Sequence, residues 1–134
     1  MAAAETLGAD SAALLFVYGS LMRGQPEHGR MAGCSGQGSA ELTGLALHDL
    51  GPFPMAVTSD DPQRRLHGEL YRVTAGQLAA LDRYEGAPRL YERQRRTLAD
   101  GRAVWVYVGR PRQVRHAPVI DSGRWRGRRG DRGY

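Results

Sequence analysis

Glu85 stands in the run Leu81-Asp82-Arg83-Tyr84-Glu85-Gly86, one residue before a glycine. At the end of a helix its carboxylate faces the negative end of the helix dipole, at a cost of a few tenths to about 1 kcal/mol. That field raises the pKa, which suits a group that must both accept and return a proton. A solvated surface glutamate that tolerates the small cost would leave the same pattern. A second run, Phe16-Val17-Tyr18-Gly19-Ser20-Leu21-Met22-Arg23-Gly24, takes an apolar stretch into a glycine turn. Backbone N–H groups left unpaired in such a turn can bind a carboxylate or carbonyl oxygen. Tyr18, Gly19, Ser20 and Leu21 are therefore a candidate cradle, and a plain strand-ending turn is the other reading. No Gly-Lys-Ser/Thr follows, so the turn is not a phosphate loop. In the third run, Leu90-Tyr91-Glu92-Arg93, Tyr91 and Arg93 lie two apart and share one face of a strand. They could position Glu85 if that face looks toward it, and form an ordinary surface pair if it looks at solvent.

Other chemistry finds little support. His28, His48, His67 and His116 are scattered without metal-ligand spacing, so no zinc site is expected. Cys34, the single cysteine, lies between Gly33 and Ser35-Gly36 and reads as a chance thiol rather than a nucleophile. Ser20 lacks a Gly-x-Ser-x-Gly context and an evident His–Asp partnership.

The elements that must hold these residues follow from pattern. Leu14 to Tyr18 is short and apolar, a buried first strand. Pro26 and Glu27 open a short helix over 28–31, which Gly33 ends. Residues 37–50 hint at strand alternation, interrupted near Gly44 where a bulge is expected. Gly51-Pro52-Phe53-Pro54 is irregular, since prolines cannot sit inside a ladder. Residues 55–58 and 66–73 read as strands. Thr74 is a good N-cap for a helix over 75–84, with Leu78 and Leu81 on one face and Gly86 at its end. Residues 90–98 and 103–108 form a hairpin about Asp100-Gly101. About six strands and two helices in this order predict an α+β fold with a small, mixed, mostly antiparallel β-barrel.

The 134 residues fit one domain. We expect a disordered leader over 1–12, a domain over 13–126 and an Arg/Gly-rich disordered tail over 127–134. No apolar run approaches the roughly 18–20 residues of a membrane span, and the leader lacks a basic secretory start, so a cytoplasmic protein is expected. The net charge of +5 is uneven. Residues 110–134 hold eight Arg against two Asp, while the rest hold eleven Arg against twelve acids. The basic excess belongs to the end of the chain, not to its body.

Taken together, the three runs resemble the gamma-glutamylcyclotransferase-like superfamily. The segment from Phe16 to Pro26 with His28 is similar to its amino-terminal signature, above all in the gamma-glutamylamine cyclotransferase branch and its small bacterial relatives. Asp82 to Gly86, with Tyr91 and Arg93, is similar to its second signature. Gly51 to Pro54 and Val119 to Trp125 resemble two further segments, although relatives commonly carry an acidic residue where Arg124 stands. The resemblance implies a cavity between the Tyr18–Leu21 turn and the helix bearing Glu85. It implies cyclisation of a γ-glutamyl amine or peptide to 5-oxoproline with release of the amine. It assigns Glu85 as base and then acid, with Tyr18, Gly19, Ser20, Leu21, Tyr91 and Arg93 around the substrate, and no metal or cofactor. Oligomeric state is left open.

Two other functions fit parts of the sequence. One is a non-catalytic module on the same fold that binds a small metabolite. The other is nucleic-acid binding through Arg124, Arg126, Arg128, Arg129 and Arg132 with Trp125 and Tyr134, which a solvated end explains more simply.

Overall fold

A computed structural model describes residues 12–127. The expected leader and Arg/Gly tail lie outside these residues, except Ala12, which begins the first strand, and Gly127. The first strand, β1, is Ala12–Val17; β2 is Ser35–Thr43, β3 Leu45–Asp49, β4 Pro54–Thr58 and β5 Arg65–Thr74. The helix α1 spans Ala75–Glu85, followed by β6, Glu92–Thr97, and β7, Ala103–Val108. Two single 3-10 turns, His28–Met31 and Pro111–Val114, complete the list. The first of them is the short helix expected after Pro26.

Five strands form one mixed sheet in the order β2-β5-β1-β7-β6, and β3 and β4 pair separately. All pairings are antiparallel except that of β1 with β7, where Leu15 faces Trp105. The α+β class and mostly antiparallel pairing expected from the sequence are present. The expected barrel is not: among the described residues the sheet does not close. Gly44, at φ +82, turns the chain out of the sheet between β2 and β3. The β3–β4 ribbon then meets the end of β7 through one bond, Gly109 N–H to the Ala56 carbonyl at 2.8 Å, rather than a ladder. The expected bulge at Gly44 is thus a break between strands. The register shift lies earlier, between Gly36 and Ser39.

β1 is apolar along its length because both its faces are covered. Leu15 and Val17 join Tyr71, Val73 and the helix residues Leu78 and Leu81 in one core cluster. Phe16 points the other way, into a second cluster with Leu70, Val104, Val106 and Trp125. Burying leucines such as Leu78 and Leu81 contributes about 1.5–3 kcal/mol each, which fixes α1 against the sheet. The residues after β7 return over the ribbon and β5, with Ile120 N–H bonded to Leu47 O and His67 N–H to Gly123 O.

Candidate active site

The helix carrying Glu85 has defined ends. Thr74 Oγ1 accepts from Gln77 N–H at 3.1 Å, and Gln77 Oε1 accepts from Thr74 N–H at 2.8 Å. This reciprocal cap satisfies two N–H groups that the first turn leaves free. At the other end Gly86 takes the left-handed conformation, φ +69, and donates to the Arg83 carbonyl. Glu85 is the last helical residue, one step further than expected, and its side chain is partly buried.

The chain leaving β1 makes a turn closed by Met22 N–H to Gly19 O at 3.0 Å. The carbonyls of Ser20 and Leu21 are occupied by Glu27 N–H and His28 Nδ1. No described residue accepts from the N–H groups of Gly19, Ser20 or Leu21. Gly19 also lets the turn approach the loop before β4, since a Cβ there would lie 2.9 Å from Pro54 Cγ.

Between this turn and the end of α1 lies a cavity of about 160 Å³. Tyr18, Gly19, Ser20 and Leu21 line one side, and Tyr84 and Glu85 line another. Tyr91 and Tyr107 add aromatic walls, and Phe53, Pro54 and Leu90 contribute the rest with Phe16 and Val17. Burial pushes the Glu85 carboxyl up to about 7, against the smaller opposing effect of the Arg30 charge. A raised value was expected from the helix end; burial is its main cause here. No hydrogen bond from a described residue reaches this carboxylate.

Tyr18 and Tyr91 line the cavity with their rings, but their hydroxyls are engaged elsewhere. Tyr18 donates to Tyr107 O at 2.7 Å and accepts from Ala56 N–H at 3.0 Å. Tyr91 donates to Pro54 O at 3.0 Å. Burial pushes both hydroxyls well above the usual phenol range.

Arg93 is the one candidate that does not line the cavity. Its Nε donates to Asp82 Oδ1 at 2.7 Å, and its guanidinium lies 4.2 Å from the centre of the Trp105 ring. Asp82 Oδ1 also accepts from the Tyr107 hydroxyl at 2.7 Å. Arg93 therefore reaches the site only through Asp82 and Tyr107. Sequence reasoning missed Tyr84, Tyr107 and Leu90 as cavity walls. Tyr84 adjoins Glu85, but nothing local marks Tyr107, since its place depends on β7 lying beside β1.

Among the described residues, no group of three or more His, Cys, Asp or Glu is placed to hold a metal ion, and no helix is long and apolar enough to cross a membrane.

Residues 15–127 match the family described as gamma-glutamyl cyclotransferase, AIG2-like. The gamma-glutamylcyclotransferase family protein YtfP of Escherichia coli K12 is 34% identical over 111 residues, covering 83% of this chain and 94% of YtfP. The solution structure of E. coli YtfP superposes with a TM-score of 0.63 at 33% identity, over 84% of this chain and 95% of that one. The gamma-glutamylaminecyclotransferase of Bos taurus is 36% identical over 91 residues, which cover 60% of this chain and 53% of the bovine protein. With its turn, its glutamate and the cavity between them in place, the chain belongs to the gamma-glutamyl cyclotransferase, AIG2-like family.

Proposed function

We propose that this cavity takes the γ-glutamyl group of a γ-glutamyl amine or peptide and cyclises it to 5-oxoproline, releasing the free amine. The substrate's α-nitrogen attacks its own γ-carbonyl carbon. A ring C–N bond forms, the bond to the leaving nitrogen breaks, and no water is consumed. Held in a ring-closing pose, such an internal nucleophile has a high effective molarity, so much of the task is positioning. Glu85 takes the proton that the α-ammonium must lose and delivers it to the departing nitrogen. The N–H groups of Gly19, Ser20 and Leu21 hold the substrate carboxylate or the oxyanion that develops on the carbonyl. Tyr18 and Tyr91 supply ring surface, and Arg93 supports the site from behind through Asp82.

One observation carries this reading: a carboxyl pushed up to about 7 shares a small cavity with a turn whose N–H groups have no acceptor among the described residues. A group with that pKa can both take and return a proton near neutrality. The test is to incubate the purified protein with a panel of γ-glutamyl amines and peptides and to measure 5-oxoproline. Release that disappears in Glu85→Gln, with binding retained, supports the assignment. Near-full release by Glu85→Gln overturns the role of Glu85, and binding without any release makes the protein a binding module.

A further inference from the structure

The cavity is small. At about 160 Å³ it lies below the roughly 300–1,000 Å³ of pockets that enclose a drug-sized ligand, so it takes one compact acyl group. The other half of the substrate must lie at the mouth. Leu90 marks that boundary, because it lines the cavity and is also 43% exposed. It is one of two large hydrophobic side chains left exposed among the described residues.

Leu90 is not on a loose loop. Its N–H donates to Gly86 O at 2.8 Å, and its carbonyl accepts from Gln113 Nε2 at 2.9 Å. Arg110 holds the two preceding carbonyls, those of Pro88 and Arg89, at 2.7 Å each. An apolar side chain is thus presented at a fixed place beside the partly buried rings of Phe53 and Tyr84.

The charges around this mouth point the same way. Among the described residues, Glu85 is the only charged one lining the cavity. The Arg30 guanidinium lies over the Tyr84 ring at 3.9 Å without itself lining the cavity, and its charge disfavours a second cation nearby. Arg30 and Arg110 are themselves paired with Glu27 and Glu92, so neither is a free partner for a substrate anion.

We infer that Leu90 is a specificity-determining residue for the leaving half of the substrate, and that this half is an uncharged, apolar amine. The inference rests on the cyclotransferase reading above. A leaving chain lying along Leu90 and Phe53 is removed from water, whereas a charged group held against those apolar side chains loses hydration.

The test compares three γ-glutamyl amides, those of methylamine, pentylamine and 1,5-diaminopentane, by initial rates of 5-oxoproline release. The pentyl amide is expected to exceed both others in kcat/KM by about tenfold, on the scale of a few methylenes at a half-open apolar contact. Leu90→Ser is expected to lower the ratio of pentyl to methyl amide at least about fivefold. Arg110→Met, which releases the turn, should lower it in the same direction. Equal kcat/KM for the three amides, or a ratio unchanged in Leu90→Ser, overturns this inference and leaves the cyclotransferase reading standing. Release from no γ-glutamyl compound overturns both.

Discussion

The Tyr18 hydroxyl donates to the backbone carbonyl of Tyr107 at 2.7 Å, joining the end of β1 to β7 inside the protein. The same oxygen accepts from Ala56 N–H, so one side chain ties three strands beside the cavity. Tyr18→Phe keeps the ring and strands both backbone groups. It should destabilise the fold by about 1–3 kcal/mol, the penalty for unsatisfied buried polar groups. Denaturant unfolding should show this as a lower midpoint with unchanged slope. A midpoint equal to that of the unaltered protein would mean that the hydroxyl is dispensable.

Glu85 makes a prediction with opposite signs for activity and stability. The base must be ionised to accept a proton, so kcat/KM should rise with pH through an acidic limb near pH 7. Its folded pKa is raised from 4.5, so between these values the folded state holds a proton that the unfolded state has lost. Stability from this group is therefore fully present below about pH 4.5 and lost as pH rises through 7. Glu85→Gln should match the unaltered protein near pH 4 and be more stable at pH 8, by on the order of 1–3 kcal/mol. Thermal unfolding at the two pH values checks both halves.

Gly19→Ala tests the close approach of the turn to the Phe53–Pro54 loop. The added Cβ would lie 2.9 Å from Pro54 Cγ and 3.1 Å from Cδ, and a proline ring cannot swing aside as a flexible side chain would. Overpacking of this kind costs about 1–3 kcal/mol. Displacement of either wall should also lower kcat/KM about tenfold or more. Unchanged kinetics would show that the loop yields freely.

Asp82 accepts from Arg93 and Tyr107 at once, holding α1 to β6 and β7 one turn before Glu85. Asp82→Ala should lower kcat about tenfold with little change in KM, because it loosens the helix end without touching substrate. Asp82→Asn, which keeps an acceptor, should recover part of the loss. Equal damage in both variants would point to the charge rather than to the tie.

The sequence was most legible where structure is local. Thr74, Gln77 and Gly86 bracket α1 through bonds made within a few residues, and Asp100-Gly101 closes the β6–β7 turn in the same way. The apolar run of β1 announced a strand covered on both faces. What could not be read was set across long separations. The failure of the sheet to close depends on how the β3–β4 ribbon meets β7. Spacing alone puts Arg93 on a face with Tyr91, but its partner, Asp82, comes from the helix. The pattern predicts strand at residues 90 and 91, yet Leu90 N–H turns back to Gly86, so β6 begins only at Glu92. Glu85 and the glycine turn were identifiable as separate features, and their common cavity was an expectation from resemblance alone.

The place of β1 between β5 and β7 also bears on how the molecule comes into being. The ribosome emits this strand long before the one that must lie parallel to it. Until Ala103–Val108 emerges, one edge of β1 has no neighbour, and its aliphatic residues stay open to unwanted association. Assembly of the enclosure around Glu85 therefore waits on late translation, so a fragment stopping short of Ala103 should accumulate as aggregate rather than as a partly working protein.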